Sequence, residues 1–447
     1  MADCGHAQEG YFNYNRLWTL LIDKGITKTQ MHLQADICTN ILAKMRKDEP
    51  IAMEILTKIT TVLHCGYCRD KRRRKEDWRM KLKIFSFFSG SGFLDLGFEL
   101  NGYSIELVNE FSPAFINAYK YSRNQMGLAA PKYGYSNIDI NEYLGQRAEE
   151  LREYISDAKK DNSLVGFIGG PPCPDFSVAG KQRGRNGDNG KLSLSYIQLI
   201  IAQHPDFFLF ENVKGLWKTA KHREFYEELK TMLHDAGYYM TNRLTNAIEF
   251  GAPQDRDRIL LFGMSKSLFP NSNNNPLDAF PWEKYTTHSL SEIKAIQWPT
   301  TAPFEENSIT ECPVNIPKEL TVQHWFEKND VENHPNGRDC FVPRSGIVKM
   351  LSVDEGDDSK KSYKRLHRWR YSPTVAYGNN EVHLHHYKAR RLTVAEALAL
   401  QSLPKDFSLP PDMSLTDKFK TTGNGVPFML SSGIAKTISD FMKGALK

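Results

Sequence analysis

The 447-residue chain has no apolar run long enough to cross a bilayer. Its longest, such as Phe207 to Phe210, fall far short of the roughly 20 residues that a spanning helix needs. The opening MADCGHAQEG lacks the basic start and apolar stretch of a secretory signal, so the expected location is the cytoplasm. Cysteine is scarce: the seven (Cys4, Cys38, Cys65, Cys68, Cys173, Cys312 and Cys340) are odd in number and scattered, unlike a secreted disulfide scaffold, and read as thiols. No self-similarity at a period of roughly 20–50 residues appears, which excludes solenoids and propellers. What is present is an ordinary globular mixture, 40% hydrophobic and 25% charged. The length calls for two or three domains, because single cores rarely grow past about 250–300 residues.

A strong net charge is also missing, but the mild +5 hides an uneven distribution. Residues 1–83 carry 16 Lys/Arg against 10 Asp/Glu, so the basic excess is N-terminal. Much of it lies in Arg69-Asp-Lys-Arg-Arg-Arg-Lys75, which reads either as a solvated linker or as an arm neutralising phosphates. The segment before it predicts four short helices, near 14–25, 28–36, 38–47 and 50–64, with apolar residues at helical spacing (Leu17, Leu21, Leu42, Met53, Leu56, Ile59). Thr27-Lys-Thr29-Gln30, Ala35 and Thr39-Asn40 resemble the helix-turn-helix of the Cro/C1 repressor family, with the helix from Thr39 to Met45 entering the major groove. A small all-α protein-contact module is the other reading. Cys65-Gly-Tyr-Cys68 has no second ligand pair at finger spacing, so no metal is expected.

From Lys83 the pattern changes to short apolar runs alternating with amphipathic segments. Strands are expected at 83–88, 104–108, 165–169, 206–211, 239–246 and 258–263, and helices near 93–101, 113–123, 146–156, 192–203 and 222–236. This alternation predicts an α/β fold, a doubly wound, mostly parallel sheet covered on both faces. It breaks after about residue 266. From there to about 372 the chain is rich in Pro, Asn, Ser, Thr and Trp with little periodicity, and Leu392 to Leu403 then reads as helix again.

The candidate chemistry sits where strands end. Strand Lys83–Phe88 runs into Ser89-Gly90-Ser91-Gly92, a turn at which backbone can approach a nucleotide-like ligand. Glu110, after the next strand, is placed for ribose hydroxyls, and Asp139 for an adenine amino group; the set suits an adenosine-containing cofactor without saying which. Gly169-Gly170-Pro171-Pro172-Cys173-Pro174 is more specific. A cysteine fixed by prolines just past a buried strand reads as a nucleophile, since a buried structural thiol would not sit in such a loop. Residues 178–191 interleave Gly180, Gly184, Gly187 and Gly190 with Lys181, Arg183, Arg185 and Lys191, suited to closing over a polyanion. Glu211, ending the next strand, can place an acid beside Cys173. Gln254-Asp-Arg256-Asp-Arg258 puts two arginines on one face, for a base carbonyl, a phosphate or a structural ion pair.

In this order, with Arg391-Leu392-Thr393, Gln401-Ser402 and Gly423-Asn424-x-Val426-Pro427 following, the series resembles the ordered motifs of cytosine-5 DNA methyltransferases of restriction-modification type. The resemblance covers roughly residues 83–265 and 372–447. It implies the S-adenosylmethionine-dependent methyltransferase fold and S-adenosylmethionine bound by Phe88, Gly90, Gly92, Glu110, Phe111, Asp139, Ile140, Pro172 and Asn424. It also implies Cys173 as the nucleophile at C6 of a flipped cytosine, Glu211 as the N3 partner, and Arg256 and Arg258 holding the base; no metal is implied. The C-terminal segment would pack beside the glycine turn. The sequence departs from the family at Pro174, Phe93 and Phe111, where Gln, Gly and Trp are common. The expected domains are a helix-turn-helix (1–68), a basic linker (69–82), a catalytic domain (83–265 completed by 373–447) and an inserted target-recognition domain (266–372). Double-stranded DNA is the expected partner, with operator DNA at the N-terminal domain controlling the chain's own transcription; a cognate restriction endonuclease is not expected as a stable subunit. RNA cytosine methylation, or DNA-binding regulation without catalysis, are the alternatives.

Overall fold

The computed structural model describes residues 26–47, 80–172, 188–342, 346–360, 362–375, 377 and 383–446, with single positions between 14 and 59. The chain divides into two compact units, Met1–Arg79 and Met80–Lys447.

In the first unit, α1 (Lys28–Gln34) opens on a capping box: the Thr27 hydroxyl accepts the Gln30 N–H and the Gln30 side chain accepts the Thr27 N–H. Asp36, at φ 48°, turns the chain through the left-handed region, and α2 (Thr39–Arg46) follows. Met31, Ala35, Ile37, Leu42 and Met45 close a core with Tyr14, Leu21 and Ile59. These two helices match the expected second and third to within two residues at each end. Most of the expected first and fourth helices, together with Cys65, Cys68 and the basic run 69–75, lie outside the described residues.

The second unit is built on a seven-stranded sheet in the order β3-β2-β1-β4-β5-β7-β6. The strands are β1 (Leu82–Phe87), β2 (Ser104–Asn109), β3 (Tyr135–Ser136), β4 (Leu164–Gly169), β5 (Phe207–Val213), β6 (Tyr238–Asn246) and β7 (Asp257–Ser265). The first five run parallel and β7 lies antiparallel between β5 and β6, so the sheet is mostly parallel, as expected. One apolar layer packs α5 (Ala148–Lys159), α6 (Asp188–Gln203) and α8 (Ala220–Asp235) on one face. The other packs α3 (Phe93–Glu99), α4 (Pro113–Gln125) and the C-terminal helix α14 (Phe428–Ala445). The short α7 (Lys214–Lys218) lies between β5 and α8. Strand order reverses between β1 and β4, and their ends, Phe87 and Gly169, are paired residues. A crevice outside the carboxyl ends of the strands at such a reversal is where an α/β sheet takes its ligand.

After β7 the chain is largely irregular, broken by α9 (Leu290–Ala295), α10 (Val322–Lys328), α11 (Ile347–Leu351) and a two-residue pairing of β8 (Lys364–Arg365) with β9 (His383–Leu384). Val322, Trp325, Phe326, Val331, Leu366 and Val375 share one core with Leu392, Ala395, Ala399 and Leu400, so this stretch is anchored on α12 (Val394–Leu400). The chain then forms α13 (Leu415–Asn424) and α14. Among the described residues no helix is long and apolar enough to cross a membrane.

Candidate active site at the carboxyl edge of the sheet

The turn after β1 is left-handed at three positions: Phe88 (φ 52°), Gly90 (φ 55°) and Gly92 (φ 79°). A side chain at Gly90 would meet nothing within 4 Å, so the turn leaves open space above its backbone, whereas a Cβ at Gly92 would stand 2.4 Å from the Tyr119 ring. Glycine at 92 is therefore required twice, by backbone conformation and by the close approach of α4. Glu110 accepts the Gly90 N–H at 2.9 Å and the Ser112 N–H at 2.7 Å; burial nonetheless raises its carboxyl above the usual carboxylate range. Phe111, next to it in the chain, is 70% exposed.

Asp139 caps a short 3-10 turn, Ile140–Leu144, through the Asn141 N–H, and Ile140 is buried in the sheet's core. Asn109 donates to the Ser136 and Ile138 carbonyls, which fastens the Asp139 segment beside the end of β2. Asn137 fixes the backbone on either side of Phe111's amide by donating to the Glu110 and Phe111 carbonyls at 2.7 and 2.8 Å.

The C-terminal segment packs where it was expected. Ser91 and Thr421 share a hydroxyl hydrogen bond of 2.7 Å, and a Cβ at Gly425 would fall 2.1 Å from the Phe93 ring. Asn424, exposed at the end of α13, is carried to this edge by those contacts. A cofactor with an adenosine moiety fits these residues: an open glycine turn, two carboxylates and an exposed ring converge on the ends of β1, β2 and β3.

On the other side of the reversal, β4 leads into Gly170, buried Pro171 and exposed Pro172. Cys173 and the loop to residue 187 lie outside the described residues. The approach to them is well placed: a Cβ at Gly170 would stand 2.6 Å from Glu211 Oε2, and Asn212 donates to the Pro171 carbonyl at 3.5 Å. Glu211 is buried, and Arg258 Nε holds its Oε1 at 2.6 Å. Antiparallel β7 makes this contact possible, because its register sets Arg258 opposite Val213, the last residue of β5.

The two arginines expected to act together have different partners. Arg256 is buried and donates to the Val375 carbonyl at 2.7 Å and the Gly423 carbonyl at 2.8 Å. Burial and the neighbouring Arg258 both weaken its hold on a proton. Gln254 accepts the Val375 N–H and donates to the Leu400 carbonyl and to the Gln401 side chain, which in turn donates to the Thr422 carbonyl. Arg256 is thus the centre of a buried polar joint between the strand, the insert's end and α13, and Arg258 alone of the pair reaches the acid. Sequence reasoning placed the motif residues but missed Asn137 and Thr421, whose residue types and positions carry no local signal.

The family model for C-5 cytosine-specific DNA methylases matches residues 82–440. The chain belongs to this family. This DNA (cytosine-5) methyltransferase is preceded by a Cro/C1-type helix-turn-helix DNA-binding domain, matched over residues 16–67. The methyltransferase is 54% identical over 366 residues to the type II methyltransferase M.NmeDI of Neisseria meningitidis serogroup C, covering 82% of this chain and 85% of that protein. It is 31% identical over 371 residues to M.FnuDI of Fusobacterium nucleatum, covering 80% and 94%. Two solved structures share its fold. A DNA modification methyltransferase encoded within an E. coli prophage superposes with a TM-score of 0.56 at 20% identity, covering 81% of this chain and 99% of that one. The Entamoeba histolytica methyltransferase EhMeth gives 0.52 at 12% identity, with the same coverage.

Proposed function

We propose that this methyltransferase uses S-adenosylmethionine to methylate C5 of a cytosine in a specific duplex sequence, within a restriction-modification system, through a covalent bond from Cys173 to C6. The observation that carries the reading is the fit of the Gly170 backbone against the Glu211 carboxylate that Arg258 holds. It brings the strand end leading to Cys173 and the acid to one edge of the sheet.

Cytosine is a poor electrophile, and attack at C6 becomes feasible when a proton or hydrogen bond at N3 keeps charge from building on the ring. Glu211 is the acid placed to protonate or hydrogen-bond N3, and Arg258 fixes the orientation of its carboxyl. The target base is presented by flipping from the duplex, since C6 is out of reach inside the stack. Phe88, Gly90, Gly92, Glu110, Phe111, Asp139, Ile140, Pro172 and Asn424 hold the donor, whose sulfonium supplies the methyl group. Arg256 keeps the base-binding strand seated through its carbonyl contacts. Residues 266–372 form the target-recognition domain, because they interrupt the scaffold with irregular chain whose Arg, Asn, Gln and His side chains can read base edges. The N-terminal domain binds operator DNA and represses the chain's own promoter.

Cys173→Ser should abolish methyl transfer while DNA binding persists, because a hydroxyl is a far weaker nucleophile than a thiolate near neutral pH. Duplexes carrying 5-fluorocytosine at the target should trap a covalent complex with the wild type and none with the variant. Retained methylation by Cys173→Ser, read by bisulfite sequencing of DNA from expressing cells, would remove the cysteine from this role.

A further inference from the structure

Beneath the glycine turn lies a buried polar cluster that no motif contains. Arg123, on α4, is 1% exposed, and its guanidinium donates from Nε to Glu99 Oε2 at 2.6 Å and from Nη2 to the Gly92 carbonyl at 2.6 Å. Its plane lies over the Tyr119 ring, 4.2 Å from the centroid. Tyr119 donates to buried Asp95 at 3.0 Å, and Asp95 also accepts the Ser86 hydroxyl at 2.8 Å. Burial pushes the Glu99 carboxyl up to about 7, with Asp95 next to it adding to the rise.

Such a cluster is an expensive way to hold two helices together, since desolvating ions costs more than their attraction returns unless the geometry is excellent, and apolar residues of similar size would pack as well. What apolar residues cannot do is grip a carbonyl. The carbonyl gripped here is that of Gly92, which also accepts the first helical N–H of α3, from Leu96 at 3.0 Å. Two residues earlier in the same turn, Glu110 holds the Gly90 N–H. The turn is therefore pinned at two points, the Gly90 N–H by Glu110 and the Gly92 carbonyl by Arg123. A Cβ added at Gly92 would stand 2.4 Å from the Tyr119 ring and 2.7 Å from Arg123 Nη2, which shows how tightly α4 is fitted to the turn.

We propose that Arg123 is a positioning residue for the methyl donor: by clamping the Gly92 carbonyl it sets the shape of the turn on which the donor lies. The inference rests on the reading of that turn as the donor's site. Arg123 is buried and its partners lie on the turn, on α3 and on α4, so its effect belongs to donor affinity and not to target recognition.

The full-length protein carrying Arg123→Lys tests this, because an ammonium can reach either Gly92 or Glu99 but lacks the planar fork that serves both. Donor Kd by calorimetry without DNA, and the KM for donor, should rise about tenfold, with kcat at saturating donor and the KM for DNA within about twofold of wild type. An unchanged donor Kd in a variant of native thermal stability, or an equal rise in both KM values, would overturn the proposal. If Arg123→Lys does not fold, Glu99→Asp draws the guanidinium back by one methylene and should weaken donor binding about threefold; no change there overturns it equally. Glu110→Ala separates the two layers of the argument. If it weakens donor binding while both other variants do not, the clamp alone is wrong; if it too leaves donor binding intact, the turn is not the donor's site.

Discussion

The shortest distances at the site explain which residue types it tolerates. Gly170 has no Cβ, and one placed there would stand 2.6 Å from Glu211 Oε2. The atom it meets is the end of a side chain, so the fold can yield, but Glu211 cannot move freely while Arg258 holds its other oxygen. Gly170→Ala should therefore leave the melting temperature near that of wild type and lower kcat by about 10²-fold, the cost of displacing a catalytic group by about 1 Å. Unaltered kcat would mean that the carboxylate's position does not matter to the reaction. Motif residues such as Gly90, Glu110 and Glu211 were legible in the sequence, because each follows an apolar run that predicts a strand end. Thr421 was not: its bond to Ser91 spans 330 residues, and nothing local marks a threonine in α13 as a partner of the turn.

Among elements, six strands of the large sheet were legible to within two residues because their apolar runs mark them, whereas the two-residue strands β3, β8 and β9 were not, being too short to carry a pattern. The reversal of β7 was not, since direction depends on which neighbour a strand finds and not on its own composition. The irregular stretch after β7 carries a feature with consequences for pH. His367, His383, His385 and His386 are all buried around β8, β9 and the start of α12. Desolvation lowers them, His367 to about 4 and His385 and His386 well below the ordinary value, despite Glu355 facing His367 and Glu396 facing His385. Arg365, Arg368, Lys388 and Arg390 lie close enough to reinforce the effect. Folded histidines that refuse protons contribute stability that is complete above the unfolded value near 6.5 and lost as pH falls from there toward about 4. Glu99, raised to about 7, works the other way over a similar range, so the total is a balance. The sharper expectation is a comparison: His383→Leu, at a buried ring whose Nδ1 has no hydrogen-bond partner among the described residues, should lose less thermal stability than wild type between about pH 7 and pH 5. Parallel loss in the two proteins would mean that His383 titrates normally.

The whole molecule joins two units with different tasks, and every motif assigned to methyl transfer lies in the second. Deleting residues 1–70 should leave methylation of the target intact and abolish repression of the chain's own promoter. The isolated helix-turn-helix should bind operator DNA with strong salt dependence, because phosphate contacts dominate the affinity of small basic units. A truncated enzyme that still represses, seen with a promoter–reporter fusion, would refute the regulatory reading and leave the catalytic one standing. The sequence by itself determined the class of fold and the places of six sheet strands along the chain, and it singled out the candidate groups, because hydrophobic periodicity and the chemistry of Cys, Glu and Gly are local properties. Tertiary structure decided what those groups do to one another. It turned Arg256 into a buried joint to Val375 and Gly423 while giving Arg258 to Glu211, and it set Arg123 under a turn 31 residues earlier in the chain. Two arginines two residues apart look alike in sequence. Only the packing of distant segments settles which meets a carboxylate and which meets carbonyls, since a buried guanidinium takes the partners that the surrounding fold presents.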